Sequence, residues 1–107
     1  MTEQPGTAAF AVRPSTGDDP PTVVVSGDLD LANAPQFEEA MAGALAGATA
    51  LTVDLTGVTY CDSAAVRALF ASAAATELTM LVRKAGHITT LLGISGLDRV
   101  ATVITVD

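Results

Sequence analysis

One cysteine, one histidine, one tyrosine and no tryptophan occur in 107 residues. A lone cysteine excludes an internal disulfide framework and a multi-cysteine zinc site, and with a single histidine no metal is expected. Cations are scarce as well: five Lys and Arg stand against twelve Asp and Glu, a net charge of −7. Such a chain lacks the charge to displace phosphate counterions, so neither nucleic acid nor an anionic membrane is an expected partner. The longest apolar run, Ala40 to Leu51, is too short to span a bilayer and is broken by Gly43, Gly47 and Thr49. Met1 to Gly6 carries neither the basic nor the apolar region of a secretory signal. A soluble cytoplasmic protein without direct membrane insertion is therefore expected. No P-loop or dinucleotide glycine pattern occurs, and no cofactor is expected.

What the chain does have is small apolar residues. Half of it is hydrophobic, only 4% is aromatic, and 20 residues are alanine. Its length suits one domain, residues 1–107, since domains run to roughly 100–200 residues. The charge is uneven. Residues 1–66 hold nine acids and one base, −8, whereas residues 67–107 hold four bases and three acids, +1. Loops of the first half thus predict either a solvated acidic surface or a face that favours a basic protein partner.

Residues 1–7 are small and polar and are expected to fray. Ala8–Arg13 alternates like a strand, and Thr22–Ser26 is β-branched and continuous like a buried one. A helix follows, with Asn33 as N-cap, Pro35 in its first turn, and Glu38 and Glu39 placed early for the helix dipole. Its stripe is Phe37, Met41, Leu45 and Ala48, and Gly43 and Gly47 would let it lie close to a sheet. Leu51–Leu55 reads as a strand, Thr56–Cys61 as a loop, and Ser63–Thr76 as a helix with Val66, Leu69, Phe70 and Ala73 inward. Leu78–Val82 is a strand, Ile88, Leu91 and Leu92 mark a short helix ended by Gly93, and Val100–Val106 is the last strand. The expected core comprises Phe37, Met41, Leu45, Val53, Leu55, Val66, Leu69, Phe70, Leu81 and Leu92. The order β-β-α-β-α-β-α-β predicts an α/β fold: one mostly parallel sheet of about five strands, about three helices, and an antiparallel first strand. Loops after the carboxyl ends of the strands form the functional edge, which here brings Gly27–Asn33 beside Thr56–Ser63.

Ser63 stands at a predicted helix start on that edge. Either Asp62 or Ser63 caps the helix, or Ser63 accepts a phosphate, which the helix N-terminus would hold and which adds about −1.5 to −2 charge. Cys61 is read as a partly exposed loop cysteine with no obligatory role, a redox sensor being the alternative. A hydrolase triad of Ser63, His87 and Asp62 is a remote alternative, because Tyr60–Ala65 lacks the glycines of a nucleophile elbow. Arg83 and Lys84 end a strand and are read as solvated or facing an acidic partner.

Three segments resemble the STAS family, specifically bacterial anti-sigma factor antagonists. They are Val24-Val25-Ser26-Gly27-Asp28-Leu29-Asp30-Leu31, the block from Asp54-Leu55 through Asp62-Ser63-Ala64, and Leu91-Leu92-Gly93-Ile94-Ser95-Gly96-Leu97-Asp98. The resemblance implies a binding switch rather than an enzyme. The unphosphorylated protein would bind an anti-sigma factor and free a sigma factor. That anti-sigma factor would act as a serine kinase on Ser63, and a serine phosphatase would reverse the modification. Partner contacts would fall on Asp28, Asp30, Asp62, Ser63, Ala64 and Arg67. The alternative is a STAS adaptor that is never phosphorylated, in a lipid-transport or signalling complex. Ala65 stands where the family usually has glycine. The final helix of relatives is not expected here, and the apolar surface it would cover is left to a partner or to a second copy in a homodimer.

Overall fold

The computed structural model describes residues 8–84 and 86–106. The expected fraying of residues 1–7 falls outside them. The elements in order are β1 (Ala8–Arg13), β2 (Thr22–Leu29), α1 (Ala34–Leu45), β3 (Ala50–Cys61), α2 (Ser63–Ala75), β4 (Glu77–Arg83), α3 (His87–Ser95), a 3-10 turn (Leu97–Arg99) and β5 (Thr102–Val106). The five strands form one sheet in the order β1-β2-β3-β4-β5. β1 is antiparallel to β2, and every other pair is parallel. This is the α/β architecture that the strand–helix alternation predicts.

One face of the sheet carries the core. Val23 pairs with Val53 and Val53 with Met80, a row that is fully buried. Leu51, Leu55, Leu78 and Val82 extend it, while the intervening Thr52, Asp54, Thr79 and Leu81 are half-buried on the opposite face. Leu81 is thus misplaced by the expected core list, because the period of two assigns the buried face to Leu78, Met80 and Val82. Phe37 and Met41 of α1, Ala65, Ala68 and Leu69 of α2, and Ile88 and Leu92 of α3 complete one cluster. Phe10 of β1 stacks on Phe37, ring centroids 6.0 Å apart.

Several local expectations need correction. β2 and β3 run further than their apolar stretches suggest. Gly27–Leu29 pairs with Val58–Cys61, so Thr56–Cys61 is strand rather than loop. Gly57 permits this, since a Cβ there would lie 3.1 Å from the Ser26 Cβ and 3.3 Å from the Val25 carbonyl oxygen. α1 stops at Leu45 because Ala46 and Gly47 turn left-handed, φ 40° and 90°, which leaves Ala48 outside the helix. Glu38 and Glu39 lie beyond its first turn, and Gly43 faces open space rather than the sheet. On α2 the buried line is Ala65, Ala68 and Leu69, while Val66, Phe70 and Ala73 flank it partly buried. Small side chains at the centre let the helix seat closely, and the larger ones fill its sides. α3 continues through Gly93 and ends at Gly96, φ 84°.

Candidate functional site at the start of the second helix

β2 and β3 end side by side, and their last residues feed the two connections that build the site. Asp62 lies in extended backbone immediately before α2. One carboxylate oxygen, Oδ1, accepts from the Ala64 and Ala65 backbone N–H groups at 2.9 and 3.3 Å. This is an N-cap, so Asp62 and not Ser63 satisfies the free donors of the helix. Ser63 is left as the exposed first residue of α2 with its hydroxyl unused by the cap. Ala64 is half-buried, and Arg67 is exposed one turn further along, on the same side of the helix as Ser63.

The second carboxylate oxygen of Asp62 reaches the neighbouring connection, where Oδ2 accepts from Leu31 N–H at 3.1 Å. The Asp62 N–H donates to the Leu29 carbonyl at 3.1 Å. Asp62 therefore holds the β2–α1 loop against the start of α2. Within that loop Asp30 Oδ1 accepts from Ala32 N–H at 3.0 Å. Asn33 is not the expected side-chain cap of α1. It is buried, takes Asp30 N–H on its Oδ1 at 2.9 Å, and donates through Nδ2 to the Asp28 carbonyl at 2.8 Å. Asp28 is half-buried, and its Oδ1 accepts from the Thr59 hydroxyl across the strands at 2.6 Å.

The structure thus brings Asp30, Asp62, Ser63 and Ala64 to one edge, with Arg67 beside them. Asp28 stands one step back, with its carboxylate turned to Thr59. Two residues not singled out as candidates complete the surface: Leu31 is 74% exposed and Tyr60 is 50% exposed. An apolar residue between Asp30 and Ala32 in a short connection was the available signal for Leu31.

Cys61 differs from its expected setting. It closes β3 and is buried, with Sγ 3.9 Å from the Asp62 carbonyl oxygen. Burial first, and the Asp62 carboxylate second, push its pKa up to about 11. A thiol held protonated and away from solvent is a poor redox sensor. His87 begins α3 and lines a cleft of about 390 Å³ with Thr56, Thr59 and Arg83, among others. Neither Ser63 nor Asp62 lines it, so the three members of the remote triad are not gathered in one pocket. Among the described residues no group of three His, Cys, Asp or Glu could hold a metal ion. No helix of the described residues is long and apolar enough to cross a membrane.

Five strands, three helices and an exposed serine beside the Asp62 cap on the carboxyl edge define, among the described residues, a small α/β domain with its candidate site at the β3–α2 junction. A family profile described as "Mlab, STAS domain" matches residues 12–105. The chain belongs to the STAS domain family. An anti-sigma factor antagonist from Mycobacterium paratuberculosis is similar in fold, with TM-score 0.82 and 24% identity over 98% of this chain and 92% of that one. A candidate anti-sigma factor antagonist of Thermotoga maritima is also similar, with TM-score 0.73 and 16% identity over 91% of this chain and 86% of that one. The anti-sigma factor antagonist SpoIIAA in its unphosphorylated form gives TM-score 0.63 and 17% identity over 92% and 90% of the two chains. No curated protein matches the sequence.

Proposed function

We propose that this protein is an anti-sigma factor antagonist whose binding is switched by phosphorylation of Ser63. The observation that carries the reading is the division of labour at the start of α2: Asp62 caps the helix and Ser63 is exposed. A hydroxyl with no structural duty on an acidic, rigid edge is a natural acceptor, and the helix N-terminus tolerates the added anion. In the unmodified state Asp30, Asp62, Ser63, Ala64 and Arg67 meet an anti-sigma factor, with Asp28 at the margin. A phosphate on Ser63 then adds like charge and a desolvation penalty inside that contact. The anti-sigma factor is the kinase, a serine phosphatase restores binding, and the domain itself carries out no catalysis.

A second reading is a STAS adaptor that is never phosphorylated. It is favoured by Ala65, which is fully buried and helical where the family usually places glycine. Intact mass after incubation with a kinase-type anti-sigma factor and ATP separates the two. One added phosphate that disappears in Ser63→Ala supports the switch. An unchanged mass with every such anti-sigma factor of the source organism supports the adaptor.

A further inference from the structure

Resting on the reading of this edge as the anti-sigma surface, a second observation identifies what a partner would grip. Five consecutive backbone N–H groups, four in the β2–α1 loop and one at the first residue of α1, are all used. Asp30 donates to Asn33 Oδ1, Leu31 to Asp62 Oδ2, Ala32 to Asp30 Oδ1, and Asn33 and Ala34 to the Asp30 carbonyl. The buried Asn33 braces the loop from beneath through Asp28. A loop secured in this way still holds Leu31 out to solvent, 74% exposed. We propose that Leu31 is the apolar anchor of the partner interface, presented on a loop that Asp62 fixes beside Ser63.

The chemistry of the partner follows from the surroundings. Leu31 follows Asp30 in the chain and its own N–H is bound by the Asp62 carboxylate, so the matching surface is a protein with an apolar socket rimmed by Lys or Arg. Because the backbone is already ordered, binding loses little loop entropy, and burial of the leucine contributes to affinity nearly in full. Its place next to Ser63 also brings a phosphate into the desolvated centre of the contact, where added charge is most damaging. Asp62 acts here as a positioning residue through its second carboxylate oxygen.

The test is titration calorimetry of the whole chain against the anti-sigma factors of its source organism, using the one that binds wild type. Leu31→Ala should weaken binding at least about tenfold. Ile94→Ala, which removes a side chain 80% exposed on α3, should stay within about twofold. Asp62→Ser keeps a cap oxygen for α2 but cannot reach Leu31 N–H as well, and should also weaken binding. All three variants should melt as single cooperative transitions. Leu31→Ala binding within about twofold of wild type overturns the anchor while leaving the anti-sigma reading intact. Failure of wild type to bind any of those anti-sigma factors overturns both.

Discussion

Two helices begin on the same edge of the sheet, and their starts are built differently. α2 follows Asp62, whose two carboxylate oxygens hold its first turn and the neighbouring loop. α3 follows Gly86, which offers no side-chain acceptor. The first start carries Asp30 and Asp62. The second is flanked by Arg83, Lys84 and His87, with the Arg83 Nε–H donating to the Thr56 carbonyl at 3.0 Å. Ser63 is exposed at the first, while at the second the Thr89 hydroxyl is bound to the Arg83 carbonyl. Helix and sheet are the same in both places. What differs is whether a side chain has been assigned to cap the helix, leaving a neighbouring hydroxyl available. The −8 and +1 halves of the chain thus appear on the folded edge as an acidic end built around a serine and a basic end without one.

The largest effect should show that the two helices are alike where they meet the core. Leu69 of α2 is fully buried and Leu92 of α3 is 1% exposed. Leu69→Ala and Leu92→Ala should each cost about 2–5 kcal/mol in urea denaturation. A loss well under about 1 kcal/mol at either position would mean that helix is not seated as described.

Cys61 belongs to the α2 side and sharpens the contrast through pH. Its folded pKa of about 11 lies above the ordinary value of 9.0. The folded state therefore holds the thiol proton more tightly than the unfolded chain does. That stability is fully present below pH 9 and is lost as pH rises through about 11, on the order of 2 kcal/mol in total. Wild type should lose more of its melting temperature between pH 9 and 11 than Cys61→Ala, while partner binding by that variant under reducing conditions should be nearly unchanged. Parallel melting curves for the two proteins would remove the buried thiol from the account.

The caps themselves give the smallest stability effects and the sharpest comparison. Asp62→Ala should cost about 1–2 kcal/mol by chemical denaturation. Gly86→Ala should stay within about 0.5 kcal/mol, since φ at Gly86 is −87° and a Cβ would meet nothing closer than 3.8 Å. Equal losses at the two positions would erase the difference between the helix starts.

How far the fold could be read in advance depended on what each residue reports. Alternation of apolar strands and helices, as in Thr22–Ser26 and Ser63–Thr76, reflects burial, and it located the sheet and its parallel sense. The end of β3 was hidden because Gly57 looks like a turn when read alone. Its role, close approach to Ser26, exists only once β2 lies beside it. Asn33 looks like a cap because it directly precedes the helix, whereas its side chain turns back to the Asp30 N–H and to the Asp28 carbonyl near the end of β2. Asp62 and Ser63 were both legible as cap candidates. Which of them caps, and so whether the Ser63 hydroxyl is left exposed, is settled by backbone geometry that a one-dimensional pattern does not carry. Leu31 carries no such signal, because an exposed leucine in a loop belongs to no periodic pattern.

As proposed above, Ser63 acts as a charge switch on a rigid edge rather than as a structural serine. The most direct measurement is calorimetric titration of Ser63→Glu, beside Ser63→Ala and wild type, with the anti-sigma factor that binds wild type, together with a melting curve for each protein. Ser63→Ala should bind like wild type. Ser63→Glu should bind roughly thirtyfold more weakly or worse, about 2 kcal/mol, and melt at nearly the same temperature. Binding of Ser63→Glu as tight as wild type, or its unfolding, would contradict the account.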